Sequence, residues 1–470
     1  MSATATTEKK YLKWYQKLAY GSGDLASNCS YGLVSSFVLL YLTGTLGLDS
    51  AIIGSLMLAS KVLDGISDVI FGTLIDRTHS KLGKARPWML FGQVGVSLCL
   101  FLLFAIPAGS TTMQYIYFLI VYTALNAVFY TANGIAYSSL VALITKNNNE
   151  RVQLGSFRFM FAVVTNIFMG FAVTGMVEKF GSGAAGWRTT ALIFAIVGLV
   201  VNTISCLAVK ELPEEELSGN TSEAAEEGKA VAEEKKHGFA ETAKILVHNK
   251  YYLMILAIYI VYYIMSNLTT GAGVFCATYY WGDGSLLGQF SMMKMFPVII
   301  ALAIAPVLIK KTGSMQKVNF WGYAISSVLG IPMIYFAMQK NLSMFLLFMF
   351  IKGIFAGTLS GSLNALIAEA SGYTTRTTGI HMDGMMYSCS SLGVKVGGGI
   401  GTAAVGWLLK LGGFVGTATV QSESAIRMIF NLYITFPFVI GIIITVLLAF
   451  LDVEKANKKW DAEHQKEAQA

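Results

Sequence analysis

The chain has 470 residues, of which 54% are hydrophobic and only 13% charged, and its mean hydropathy is +0.59. A soluble domain carries roughly a quarter charged residues, so too little charge is present to build a water-facing surface and lipid must cover most of the chain. The net charge of +7 is no nucleic-acid signal, because its Lys and Arg sit in loops between apolar runs.

Those runs lie at 17–45, 50–75, 87–107, 113–144, 153–177 and 188–209, and after a polar gap at 251–280, 285–309, 318–338, 342–368, 381–409 and 428–451. Each is long enough for a helical span of ~20 residues. They are too long and too uniformly apolar for the ~10-residue alternating strands of a membrane barrel. The expected fold class is therefore an all-α membrane protein of about twelve transmembrane helices. The polar stretch Met1 to Lys13 is expected to lead into span one without a cleavable signal peptide.

Span one carries Asp24 inside the small, polar patch Gly21 to Asn28. A carboxylate there suits two hydroxyls of a polyol; a charge partner on a neighbouring helix is the alternative. Span two holds Lys61, Asp64 and Asp68. The two acids share one helix face about 6 Å apart along the axis, and a bound cation or a shared proton would relieve their repulsion. Hard oxygen donors suit Na⁺, while a structural salt-bridge network is the competing reading. Span four carries the polar patch Tyr130 to Ser139, which bonds either a ligand or another helix.

Arg158 enters span five, and Lys395 lies well inside span eleven, beyond Ser390 and Ser391. Lys395 is the best candidate for a midplane cation balancing Asp64 and Asp68. Lys294 and Lys352 also fall in apolar runs and are expected to snorkel to an interface. Glycine is abundant, with 47 residues including Gly397-Gly398-Gly399, which permits close helix contacts. The five cysteines all lie in apolar runs without a CxxC pair, so neither a disulfide nor a metal site is expected.

Lys and Arg cluster in alternate loops: Arg77, Lys81, Lys84 and Arg86; Lys146 and Arg151; Lys310, Lys311 and Lys317; Arg376. Lys179, Arg188, Lys340 and Lys410 are the exceptions. The positive-inside rule then puts both termini in the cytoplasm. The stretch 211–249, rich in Glu, Ala and Lys, reads as a cytoplasmic linker, in part helical, between two six-span halves at 1–210 and 250–452, with a cytoplasmic tail at 453–470. The halves echo each other weakly. Leu74-Ile75-Asp76-Arg77-Thr78 precedes Trp88, and Leu308-Ile309-Lys310-Lys311-Thr312 precedes Trp321. Paired halves suggest alternating access around a midplane site. No P-loop, HExxH or usable GxSxG occurs, so no enzyme is expected and no cofactor.

Several of these residues resemble the glycoside–pentoside–hexuronide:cation symporters, the melibiose permease family within the major facilitator fold. Asp76-Arg77-Thr78-(x)4-Gly83-Lys84-Ala85-Arg86-Pro87-Trp88 is similar to the family's loop after span two. Lys61-(x)2-Asp64-(x)3-Asp68 looks like its basic residue and paired cation-binding acids, and Arg151-(x)2-Leu154-(x)3-Arg158 like its entry to span five. Tyr373-(x)5-Gly379-(x)4-Gly384 fits the loop after span ten, and Lys395 the family's span-eleven lysine.

The resemblance implies cation-coupled symport of a sugar or glycoside by a multi-pass protein of the cell inner membrane, with no oligomer required. Asp64, Asp68 and Thr131 would hold the coupling ion, Na⁺ or alternatively Li⁺ or H⁺. Asp24, Tyr31, Asn133, Tyr137, Arg158, Ser390, Ser391 and Lys395 would border the sugar, with Tyr137 stacking on a pyranose face. Asp76, Arg77, Lys84, Arg86 and Arg151 would serve the cytoplasmic gate. Three departures stand out. Asn133 to Tyr137 contains neither the carboxylate nor the proline of melibiose permease, Ser360 replaces a tryptophan, and the loop after span ten reads Gly372-Tyr373-Thr374-Thr375 with His381 and Asp383 downstream. Galactoside specificity is thus unsupported. A proton-coupled or uncoupled carrier of a hexuronide, glucuronide or other non-galactoside solute is the alternative.

Overall fold

The computed structural model describes residues 9–213, 239–380, 383–418 and 420–467, and among these no strand occurs. Twelve long helical rods follow one another in the chain. The first six run Trp14 to Thr45, Ser50–Asp76, Arg86–Leu103, Thr111 to Ile144, Asn148–Lys179 and Gly183–Leu207. The second six run Lys250 to Trp281, Leu286–Thr312, Met315–Met338, Leu342–Thr378, Asp383–Leu411 and Glu423 to Phe450. Eleven rods are long and apolar enough to cross a membrane. Ser50–Asp76 stands outside that set; it is 27 residues long and carries Lys61, Asp64 and Asp68 at mid-length.

The rods begin where a side chain can satisfy the first free amides. Asp49 accepts from the amides of Ala51 and Ile52, Ser110 from Met113, Asn249 from Tyr251 and Tyr252, and Asn341 from Met344. Four rods contain a π-helical turn, at Tyr41–Thr45, Ala124–Tyr130, Cys276–Trp281 and Asn431–Thr435. Such bulges recur at functional positions because they rotate the side chains that follow. Two of them close spans one and seven, which hold the same place in the two halves of the sequence.

The described residues form two compact units. The first takes in residues up to 213 together with Asp283–Gly288 and Leu409–Ser422; the second holds the rest. Within the first, Tyr20, Tyr137, Leu140, Ile144 and Cys206 join one buried cluster. Within the second, Tyr259, Tyr323, Leu366 and Ile444 do so.

The units share a capping device that deepens the sequence echo. In the first, the Glu211 carboxylate, just beyond span six, accepts the amides of Lys84, Ala85 and Arg86 at the start of span three, at 2.7, 2.9 and 3.1 Å. In the second, Glu454, just beyond span twelve, accepts the amides of Met315 and Gln316 at the start of span nine, at 2.8 and 3.2 Å, and the Ser314 hydroxyl. A carboxylate at a helix N-terminus meets both free donors and the positive end of the dipole. Gly83 belongs to the same arrangement. Its φ is +110° and a Cβ there would lie 2.4 Å from the Glu211 carboxylate carbon, so only glycine fits.

One expectation changes here. Gly372 to Thr375 is not a loop but the last turns of Leu342–Thr378, because the apolar pattern fades several residues before the helix ends. Within the polar stretch 211–249, the amide of Leu212 donates to the Leu143 carbonyl at 2.9 Å, and Phe239–His248 is helical. Residues 214–238, His381 and the Asp383 side chain lie outside the described residues.

Candidate functional site

In the first unit Arg158 Nε donates to Asp24 Oδ2 at 2.6 Å. Both side chains are partly enclosed, at 25% and 18% exposure. The guanidinium also lies 4.2 Å from the centre of the Tyr137 ring, a cation–π contact. Tyr137 is fixed from behind. Its hydroxyl donates to the Tyr20 carbonyl at 2.8 Å, the Tyr20 hydroxyl donates to the Tyr137 carbonyl at 2.5 Å, and the rings sit 4.7 Å apart. Gly23 makes this approach possible, since a Cβ there would lie 2.7 Å from the Tyr137 ring. The result is an arginine held in one orientation against a carboxylate whose Oδ1 takes no hydrogen bond from the described residues. That oxygen can accept from a hydroxyl group, as the guanidinium can donate to one.

A second acidic group lies deeper along the sequence. The Thr131 hydroxyl oxygen is 2.7 Å from Asp64 Oδ1 and 2.9 Å from the Asn126 carbonyl oxygen. Thr131 follows directly on the π-helical turn Ala124–Tyr130, which turns it toward span two. Lys61 Nζ lies 3.4 Å from Asp64 Oδ2. Asp64 and Asp68 border one cleft with Tyr130, Thr131, Ser138 and Ser139. A hydroxyl has one proton for two acceptors, so the Thr131 hydroxyl donates to Asp64 Oδ1 or to the Asn126 carbonyl. Carboxylate and hydroxyl oxygens are hard donors suited to a hard cation. Among the described residues no three His, Cys, Asp or Glu converge.

Tyr31 lies beside the second of these groups. Its ring stacks on Tyr130, a residue of the cleft that Asp64 and Asp68 border, at 5.6 Å and 26°, and Lys61 Nζ approaches the same ring at 6.0 Å. Both rings are only half-buried.

Three sequence expectations need correction. Tyr137 is not an open platform, for it is 2% exposed and both its hydroxyl and its ring are committed within the protein. Asn133 is 3% exposed and donates to Gln93 Oε1 at 2.6 Å, so it joins spans three and four. A patch with polar residues on several sides hides which face turns inward, and both residues turned toward the bundle. Arg86 is buried and spends its Nε on the Cys206 carbonyl at 3.2 Å, inside the turn that Glu211 caps. Asp76 and Arg77 are exposed at the end of span two, Lys84 is half-buried, and Arg151 sits in the first turn of Asn148–Lys179 with its Nε on the Thr145 carbonyl. Sequence reading missed Gln93 and Tyr20; a glutamine in mid-span was the one available signal.

In the second unit Ser390, Ser391 and Lys395 all lie on Asp383–Leu411. Ser390 donates to the Tyr387 carbonyl at 2.9 Å, Ser391 is exposed and Lys395 half-buried. Lys294 and Lys352 border a cavity inside this unit.

A family model described as MFS/sugar transport protein matches residues 19–455. An isoprimeverose transporter of Lactiplantibacillus pentosus is 26% identical over 98% of this chain and 93% of its own length. A putative glycoside/cation symporter of Escherichia coli is 24% identical over 94% of this chain and 92% of its own length. Among solved structures, a bacterial homologue of the human lysosomal transporter Spinster superposes with a TM-score of 0.69 at 13% identity, covering 95% of this chain and 98% of that one; the likeness concerns the fold.

Proposed function

We propose that this chain, which belongs to the MFS/sugar transport protein family, holds a monovalent cation at Asp64, Asp68 and Thr131 and the hydroxyls of its substrate at Asp24 and Arg158. It is a multi-pass membrane transporter of the major facilitator fold, a cation-coupled symporter of a sugar or glycoside working by alternating access. The observation that carries the cation assignment is the contact between Thr131 and Asp64, which joins spans four and two through two oxygen atoms 2.7 Å apart. Na⁺ is the ion that this donor set favours. Tyr31 and Tyr130 supply the half-exposed aromatic surface against which a pyranose ring packs. Ser390, Ser391 and Lys395 are the second unit's contribution to the substrate, and Asp76, Arg77, Lys84 and Arg151 act at the cytoplasmic face. The membrane is the cell inner membrane, with both termini cytoplasmic, and one chain suffices for transport.

Cation binding neutralises the repelling acids and stabilises the form that accepts sugar. Reconstituted protein should therefore accumulate a glycoside when a Na⁺ gradient is imposed. Accumulation under a pH gradient alone assigns the coupling to a proton shared by Asp64 and Asp68. Accumulation under neither overturns coupling.

A further inference from the structure

The second unit holds a half-open cavity of about 180 Å³ bordered by Lys294 and Lys352. Both lysines lie far from the ends of their helices. Lys294 is roughly 12 Å along Leu286–Thr312 from its start, and Lys352 roughly 15 Å along Leu342–Thr378. Spans eight and ten enter the membrane from the same side, so the two amines stand at similar depth, near the middle of a bilayer core about 30 Å thick. Snorkelling from there is out of reach of a lysine side chain.

The surroundings are wrong for two stable ammonium ions. Among the described residues no Asp or Glu borders the cavity. Lys294 Nζ donates only to the hydroxyls of Thr269 and Thr270, at 3.2 Å each. Lys352 makes no hydrogen bond or ion pair among the described residues. A buried charge without a counter-charge is costly, and two facing one cavity repel as well. The rest of the wall is largely apolar, with further hydroxyls at Ser266, Ser326 and Ser327, the last paired with Thr445. Ammonium and hydroxyl donors without an acidic acceptor are complementary to an anion.

We infer that this cavity is a binding site for a small oxyanion, a carboxylate or sulfonate group, held between Lys294 and Lys352 with Thr269 and Thr270 orienting the first lysine. At about 30 Å³ per water molecule, the cavity accepts such a group with part of its hydration. The group is either a free anion or the acidic function of a solute. The inference extends the transport reading to an acidic ligand, and it stands on residues that the proposed sugar and cation sites do not use.

The test is calorimetry on the purified full-length protein with four probes: sodium glucuronate, sodium acetate, sodium sulfate and a neutral methyl glycoside, all at constant Na⁺. The variants are Lys294→Met and Lys352→Met, which keep side-chain length and remove charge. At least one anionic probe should bind the parent, and each variant should weaken it about tenfold or more, as loss of a charge-assisted bond requires. Retained methyl glycoside binding shows that the variants fold, and Lys352→Arg should recover part of the anion affinity. Preference for glucuronate over acetate and sulfate assigns the group to a solute; equal binding assigns a free anion. Anion affinity that is the same in parent and both variants overturns the inference, as does the absence of anion binding to the parent. Failure of the methyl glycoside to bind parent protein speaks against the sugar reading alone and leaves the anion result to stand by itself.

Discussion

The Thr131 hydroxyl oxygen lies 2.7 Å from Asp64 Oδ1, placed there by the π-helical turn that ends at Tyr130. Thr131→Val keeps the shape and deletes the oxygen. It should weaken Na⁺ binding about tenfold, the worth of one hydrogen bond to a charged group, and leave sugar binding at saturating Na⁺ close to the parent. Thr131→Ser should restore the affinity. Titrating Na⁺ against sugar-dependent tryptophan fluorescence checks both; equal Na⁺ affinity for the valine and serine variants removes Thr131 from the ion's ligands.

Arg158 and Asp24 form a partly enclosed charge-assisted bond of 2.6 Å. Asp24→Asn should reduce sugar affinity by about 10- to 100-fold, as loss of a hydrogen bond to a charged group predicts. Arg158→Lys should not rescue function, because an ammonium lacks the planar face that lies 4.2 Å from the Tyr137 ring. In a double-variant cycle the two residues should be strongly non-additive. Additive losses would mean that they act separately.

Tyr137 and Tyr31 should behave differently. Tyr137→Phe deletes a hydroxyl that bonds the Tyr20 carbonyl, and should cost about 1 kcal/mol of stability with little change in sugar affinity. Tyr31→Ala removes the partner of Tyr130 and should weaken the sugar more than it lowers the melting temperature. Binding isotherms and thermal melts on both variants separate the cases; the opposite order would return the stacking role to Tyr137.

Glu211 and Glu454 cap equivalent helices. Glu211→Gln and Glu454→Gln should each destabilise the protein by about 2 kcal/mol, since bonds to a carboxylate weaken with its charge. The two losses should be similar and additive, because each lies within its own unit. Thermal melts of both singles and the double variant check this; a loss confined to one variant breaks the equivalence.

Much of this was written plainly in the sequence. Apolar runs of span length mark the rods, and the cost of intramembrane charge singles out Asp24, Asp64, Asp68 and Arg158. What the sequence hid is rotation. Span four carries polar residues around its whole circumference between Tyr130 and Ser139, so nothing told that Tyr137 and Asn133 would turn into the bundle while Thr131 met Asp64. Lys294 and Lys352 are 58 positions apart in the numbering, and only packing shows that they share a cavity. Glu211 sits at the head of a glutamate-rich stretch that reads as linker, and its capping role depends on a turn more than 120 residues earlier.

The central claim is that cation and sugar sites are energetically coupled, and calorimetry tests it most directly. Sugar affinity is measured without Na⁺ and at saturating Na⁺, then Na⁺ affinity without sugar and at saturating sugar. Linkage requires the two ratios to be equal. The account predicts equal ratios above one in the parent, falling to one in Asp68→Asn. Sugar affinity that is unchanged by Na⁺, Li⁺ or pH in the parent would contradict it.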